Sequence, residues 1–297
     1  MGHVLAAPGI SIHVEAVGTG TPVLLLPGLG ATVGSWGPLL SDLAARHRCI
    51  AVDNRGSGSS DLPDGRFGMA DMADDACAVL DALGVERAHV VGSSLGGMVA
   101  QALALRHPRR VRSLTLAASS PGVTSIPSHP SLAYHLLAAR SRSIAARTRH
   151  LNAILHGPAT IVDHPERLDE SVGGLGFPSG AGVRRQLRAA LRWSGLHRLR
   201  RIGVPTLVLH GSHDRLVPAV NARLMARLIP EARLHLLERA GHFFITDAPV
   251  EAAAAILGFA AGVERTAVTP APAARRAPAV PAPVPAAAAS LRVAPTT

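Results

Sequence analysis

The sequence predicts an α/β protein: a mostly parallel, eight-stranded sheet flanked by helices, with a helical lid inserted after the sixth strand. Three patterns lead there. Short apolar runs alternate with helical stretches over short links, as parallel strands covered on both faces require. That rhythm stops between residues 121 and 201, where no clear strand occurs, and then resumes. One link, Val90 to Gln101, carries an apolar run straight into a helix through Gly92-x-Ser94-x-Gly96.

In chain order, a weak strand precedes Ile10 to Val17, which alternates as a strand does. Thr21 to Leu26 is a short apolar run ending in Pro27-Gly28-Leu29-Gly30, a turn that exposes backbone amides. Trp36 to Arg46 reads as a helix, and Arg48 to Val52 as a strand closing in the turn Asp53 to Ser59. Met69 to Leu83 is a helix stopped at Gly84. Ala88 to Val91, Leu95 to His107 and Val111 to Ala117 read as strand, helix and sixth strand.

Residues 121–201 are arginine-rich helical stretches split by Pro127, Pro130, Gly157-Pro158 and the loop Gly173 to Gly182. The alternation resumes with a strand at Val204 to His210, a helix at Val217 to Leu228, a strand at Arg233 to Leu237 and a last helix at Ala248 to Ala261. The division is then a core of 1–120 and 202–265, a lid of 121–201 and a tail of 266–297. The tail is mostly alanine and proline, with seven prolines in thirty-two positions, and is expected to be disordered.

Composition bounds the function. A chain of 297 residues, 47% hydrophobic, can bury a sizeable core without disulfides or metals. The two cysteines, Cys49 and Cys77, fall in a strand and a helix and are expected as buried thiols. No cysteine/histidine cluster has zinc spacing. The start has no basic stretch followed by an apolar core, and the longest apolar run, Ala252 to Val263, is too short for a bilayer. A cytoplasmic protein without a transmembrane segment is the expectation.

All thirty basic residues are arginine, and the net charge is +10. Residues 121–201 hold twelve arginines against four acids. Aromatics are only 3% and no nucleic-acid module is present, so nucleic acid is not expected as a partner. Transient contact of this arginine-rich stretch with a membrane or lipid stays open, against the plainer reading of a solvated face.

The Gly92-x-Ser94-x-Gly96 pattern is weak alone. With 29 glycines in 297 residues, chance supplies on the order of 0.2 matches. Its strand–turn–helix setting makes it specific, since such a turn lifts one serine clear while the flanking backbones close in. The register is fixed: a pattern centred on Ser93 would need glycines where Val91 and Leu95 stand. The helix that starts past Ser94 aims its first N–H groups at the reacting oxygen. A serine hydroxyl needs a base, and the base an orienting acid. Asp214 follows the strand ending at His210, and His242 follows the last strand in Ala240-Gly241-His242-Phe243-Phe244. All three lie at carboxyl ends of strands, where one cleft can hold them. The rival readings are that Asp214 caps the helix near Val217 and that His242 packs beside Phe243. Asp163 and Asp247 are the other acids considered, and neither follows a strand in the right place. Asp53 and Arg55 suggest a charged pair and are left out of the chemistry.

With these residues the chain is similar to the serine hydrolases of the α/β-hydrolase superfamily. The resemblance runs to about residue 262 apart from the lid. It rests on Pro27-Gly28-Leu29, the Asp53-to-Ser59 turn, the Gly92-to-Gly96 elbow, the Asp214 loop and the Gly241-His242 loop. The lid, with Phe177-Pro178 and Arg185-Gln186-Leu187 leading into Val204-Pro205-Thr206, is similar to the small lids of aclacinomycin-methylesterase-like and lipase-like members. The resemblance implies Ser94 as nucleophile, His242 as base, Asp214 as orienting acid, and the backbone N–H groups of Leu29 and Leu95 as oxyanion hole. Many relatives have histidine where this chain has Pro27; the donor there is a backbone amide, so Pro27 does not abolish it. Trp36, Leu29, Met98 and Phe243 either line an acyl pocket or pack in the core.

The expected activity is cofactor-independent cleavage of a small carboxylic ester through an acyl-enzyme. Epoxide hydrolases and haloalkane dehalogenases, which attack with an aspartate, do not fit Ser94. Thioesterase, carbon–carbon bond hydrolase and perhydrolase (cofactor-free haloperoxidase) share the triad and stay open. A non-catalytic ligand-binding member is the rival of a different class, and it would not demand all three groups.

Overall fold

The computed structural model of the chain describes residues 2–7, 9–123, 125, 143–168 and 180–268. Eight strands, β1 (Gly2–Ala7), β2 (Ile10–Val17), β3 (Pro22–Leu26), β4 (Arg48–Val52), β5 (Ala88–Ser93), β6 (Val111–Ala117), β7 (Thr206–Gly211) and β8 (Arg233–Leu237), form one sheet. Its order is β1-β2-β4-β3-β5-β6-β7-β8. β2 runs antiparallel to β1 and β4, and every other pairing is parallel. From β3 the chain steps to β4 on one side, then returns to β5 on the other. The loops leaving β3 and β5 therefore diverge, which opens a crevice at their carboxyl ends.

The helices are α1 (Gly37–Ala44), α2 (Met69–Ala82), α3 (Leu95–Arg106), α4 (Ile144–Leu155), α5 (Pro158–Ile161), α6 (Ala181–Ala190), α7 (Ala219–Leu228), α8 (Phe244–Asp247) and α9 (Pro249–Val268). Alternate strand residues serve opposite faces. Val23, Leu25, Cys49, Ala51, Leu207 and Leu209 pack with α1, α8 and α9. Leu24, Leu26, Ile50, Val52, Leu114 and Leu116 pack with α2, α3 and α7. Both faces of the central strands are apolar, which is why these strands read as continuous apolar runs rather than alternating ones.

The last helix, expected at Ala248 to Ala261, is α9; a short helix absent from that expectation, α8, precedes it, and the two are separated at Ala248. Pro249 is the reason: it lacks an N–H and drives the preceding residue out of helical dihedrals, leaving Ala248 at φ −144°. α9 also runs on to Val268, into the segment assigned to the tail. Glu264 near its end lies 3.3 Å from His89 Nε2, which ties it to the sheet. The expected disorder of the remaining tail, 269–297, lies outside the described residues, as do Pro127, Pro130 and Phe177-Pro178.

The described part of the insertion after β6 is helical, as expected. Among the described residues it holds α4, α5, α6, a 3-10 turn at Leu196–Arg201 and one isolated bridge between Gly122 and Ser194. Cys49 and Cys77 are buried unpaired thiols, and burial pushes Cys49 up to about 11. No helix among the described residues is long and apolar enough to cross a membrane.

The turn after β4 binds neighbouring segments, and Asp53 and Arg55 do not pair with each other. Asp53 accepts from Val33 N–H at 2.7 Å and Ser59 N–H at 2.9 Å. Arg55 instead forks onto Asp75 of α2 at 2.5 and 2.6 Å, with both side chains buried. Burial pushes the Asp75 carboxyl up, and the Arg55 guanidinium pulls against it. Arg55→Met strands that carboxylate, so it should cost roughly 3–5 kcal/mol. Urea unfolding measures this; a loss below about 1 kcal/mol would mean that the pair does not hold α2 to the turn.

Candidate active site

The site starts from one strained residue. Ser94 sits between β5 and α3 at φ 53°, ψ −117°, a region side chains seldom occupy. Its backbone is pinned on both sides: Ser94 N–H donates to Ala117 O at 2.8 Å, and Ser119 Oγ donates to Ser94 O at 2.8 Å. The flanking glycines are required by space. A methyl on Gly96 would collide with the Leu26 and Pro27 carbonyl oxygens, and one on Gly92 with the Gly96 carbonyl. The elbow thus presses against the end of β3.

His242, in the loop after β8, reaches this serine. Its Nε2 lies 3.0 Å from Ser94 Oγ, and its Nδ1 lies 2.8 Å from Asp214 Oδ2. The carboxylate can only accept, so Nδ1 carries the proton and Nε2 is left to accept from the serine hydroxyl. Asp214 does more than one job. Its Oδ1 accepts from Leu216 and Val217 N–H at 2.9 and 2.8 Å. These donors lie in the turn before α7, which begins at Ala219 with Pro218 at its N-cap, so Asp214 closes that turn and does not cap the helix. His242 also lies near Phe243, with ring centroids 6.4 Å apart, so that packing accompanies the hydrogen bonds.

The sequence reading missed the second histidine on Asp214. His210 is fully buried at the end of β7, and its Nε2 donates to Val217 O at 2.8 Å while lying 3.2 Å from Asp214 Oδ2. A histidine closing the apolar run Leu207-Val208-Leu209, four residues before Asp214, was the available signal. Burial pushes the Asp214 carboxyl up, but the charge and hydrogen bonds of His242 and His210 outweigh it and bring it down to about 2.

The turn after β3 faces the elbow. A methyl on Gly28 would lie 3.5 Å from Ser94 Cβ, so that turn and the serine share one crevice. Among the described residues, no turn or cap acceptor binds Leu29 N–H or Leu95 N–H. The turn is braced from outside: Asn54 Nδ2 donates to Pro27 O at 3.0 Å, and Gly30 N–H donates to Gln186 Oε1 at 2.9 Å. Leu29 and Met98 are partly buried against the core, and Phe243 is half-buried beside His156, with ring centroids 5.3 Å apart. Trp36 is 1% exposed among Leu39, Leu43 and Phe244, which is the packing alternative.

The two acids set aside in the sequence both bind the insertion to the His242 loop. Asp247 accepts from Gly241 N–H at 2.6 Å, Gly157 N–H at 2.8 Å and His156 Nδ1 at 2.7 Å. Asp163 pairs with Arg239 at 2.9 Å. Phe243 N–H completes the seam by donating to Leu155 O at 2.8 Å.

A sequence profile of the α/β hydrolase fold family matches residues 21–249. The chain is 34% identical over 261 residues to a protein of Azorhizobium caulinodans provisionally named carbamate hydrolase RutD, covering 86% of this chain and 96% of that one. It is 32% identical over 256 residues to 2-hydroxymuconate semialdehyde hydrolase of Pseudomonas putida, covering 82% and 88%. A thermophilic esterase from Thermogutta terrifontis, solved with malate bound, superposes with a TM-score of 0.75 at 27% identity, covering 89% of this chain and 99% of that one. The chain belongs to the α/β hydrolase fold family, and its class is hydrolase.

Two outcomes follow from the carboxylates. Asp214 titrates lower in the folded chain than its unfolded value of about 4. Its stabilisation is therefore complete above that pH and is lost as the pH falls through about 2. The stability gap between wild type and Asp214→Asn should be flat from neutrality to about pH 5 and should narrow below about pH 4. Denaturation curves across that range check it, and a gap that widens on acidification would reverse the assignment. Asp247→Ala orphans the buried N–H donors of Gly157 and Gly241, at roughly 1–3 kcal/mol each. A melting temperature within about 2 °C of wild type would contradict that account.

Proposed function

We propose that this hydrolase cleaves a carboxylic ester through an acyl-enzyme formed on Ser94. The observation that carries the reading is the line Ser94 Oγ–His242 Nε2 at 3.0 Å and His242 Nδ1–Asp214 Oδ2 at 2.8 Å, at the mouth of the crevice between β3 and β5. Ser94 Oγ attacks the carbonyl carbon while His242 Nε2 takes its proton, and Asp214 stabilises the imidazolium. The carbonyl oxygen becomes an oxyanion beside the N–H groups of Leu29 and Leu95; one such donor is worth about 3 kcal/mol of barrier. The intermediate collapses, the alcohol leaves with the proton from His242, and water repeats the sequence on the acyl-enzyme. No cofactor enters any step.

The ester rather than another acyl compound is supported by the likeness to the Thermogutta terrifontis esterase. The relatives named for a carbamate and for 2-hydroxymuconate semialdehyde keep those substrate classes in the test. Leu29, Met98 and Phe243, all partly exposed, are the proposed acyl wall. A cytoplasmic site of action is part of the same reading and is supported by two buried thiols left unpaired.

The test is hydrolysis of 4-nitrophenyl esters from acetate to decanoate, with a carbamate and a thioester alongside. Ser94→Ala should remove turnover without unfolding the chain. Asp214→Asn should lower kcat by about 10⁴-fold with KM little changed, because the histidine then holds the wrong tautomer. Full activity in Ser94→Ala would sink the mechanism. Turnover of the carbamate or thioester alone would keep Ser94 and overturn the ester.

A further inference from the structure

Gln186 stands out as a fully buried polar side chain in an otherwise arginine-rich helix. It belongs to α6 of the insertion, and its side-chain hydrogen bonds go to the body. Oε1 accepts from Gly30 N–H at 2.9 Å. Nε2 donates to Arg55 O at 2.8 Å and Ser57 Oγ at 2.8 Å. Arg55 O can only accept and Gly30 N–H can only donate, so the amide orientation is fixed.

The Gly28–Ala31 turn holds the Leu29 N–H that the proposed mechanism uses. Three consecutive peptide units decide where that N–H points. The Pro27–Gly28 unit is held through its oxygen by Asn54 Nδ2 at 3.0 Å. The Gly28–Leu29 unit is held through its oxygen, which accepts from Ala31 N–H at 3.2 Å. The Leu29–Gly30 unit is held through its N–H, by Gln186. Gly30 sits at φ +65°, in a region where glycine moves freely, so without that bond the unit has little to stop it rotating. Its rotation would turn Leu29 and swing the neighbouring N–H away from the crevice.

We propose that Gln186 is a positioning residue for the oxyanion turn, through which the insertion fixes the donor geometry of the reaction. The proposal rests on Ser94 as nucleophile with Leu29 N–H as oxyanion donor, and not on which acyl substrate is natural. The helix is seated for this role. A methyl on Gly182 would collide with the Gly56 carbonyl, so the first turn of α6 lies directly on the Asp53-to-Ser59 turn. Gln186 follows one turn later on the same buried stripe, with Ala189 beyond it.

The experiment uses an alkyl 4-nitrophenyl phosphonate. Ser94 Oγ forms a bond to phosphorus, 4-nitrophenolate leaves with the electron pair, and His242 takes the serine proton. The phosphoryl oxygen occupies the oxyanion site, so the rate reads donor placement without a natural substrate. Wild type should release one equivalent of nitrophenolate, and Ser94→Ala none. Gln186→Met, of similar volume, should react 10- to 100-fold more slowly, and kcat on an ester should fall in step while KM moves less than about threefold. Gln186→Asn keeps the amide but is one methylene too short for Gly30; it should fall likewise and carries the test should the Met variant not fold. Arg185→Ala is the control. It cuts another tie of α6, from the guanidinium to Pro63 O, and should lower the melting temperature with less than twofold effect on the rate. A wild-type rate in a folded Gln186 variant overturns the proposal, as does an equal rate loss in Arg185→Ala. A wild-type chain that is never phosphonylated at Ser94 takes down the mechanism and this inference together.

Discussion

The structure depends on one close approach: the β5–α3 turn pressed against the carboxyl end of β3. Ser94 is held at a positive φ, and the strain persists because both of its backbone groups are bonded to the β6 side of the sheet. No side chain fits at Gly92 or Gly96, so the strand, the helix and the neighbouring strand end meet backbone to backbone. Everything with polar work to do converges on that point. The strand order reverses there, leaving a crevice between the loops of β3 and β5. The strained turn raises a hydroxyl into the same crevice.

The other parts are placed by buried carboxylates and buried amides rather than by apolar packing. Asp53 and Asn54 brace the loop after β3, Asp214 holds both the chain after β7 and the ring of His242, and Asp247 ties the His242 loop to the insertion. Directional bonds suit this task because hydrophobic contact fixes an element's face but not the angle of a single N–H or ring. Each carboxylate is also committed to backbone donors, so an orphaned partner sits behind any loss. That raises the stability cost of change at positions that touch no substrate.

Most of the architecture was legible in the sequence for a simple reason. A parallel strand covered on both faces is apolar along most of its length, and the runs at 22–26 and 49–52 have no other easy reading. The meeting of Ser94, Asp214 and His242 was legible because each lies within a few residues of the carboxyl end of a strand. The short helix before Pro249 was not legible, because four residues are too few to show a helical period. Gln186 and Asp247 were not legible, because partners of each lie across the fold: Gly30 is 156 residues from Gln186, and Gly157 is 90 from Asp247. The buried stripe Gly182, Gln186, Ala189 has almost no apolar signal, so helical periodicity gives no warning that this side of α6 faces inward.

The seam between the insertion and the body has a consequence for engineering the chain. Insertions of this kind invite exchange as cassettes, with the scaffold treated as a constant base plate. Here the boundary does not fall at the chain junctions near residues 121 and 201. Gln186 on one side of the insertion belongs with the β3 loop, and His156 and Gly157 on the other belong with the His242 loop. A graft cut at the sequence junctions would take those groups away from the body and leave Gly30, Gly241 and Asp247 facing strangers. The transplantable unit is smaller than the insertion, confined to the part that makes none of these bonds.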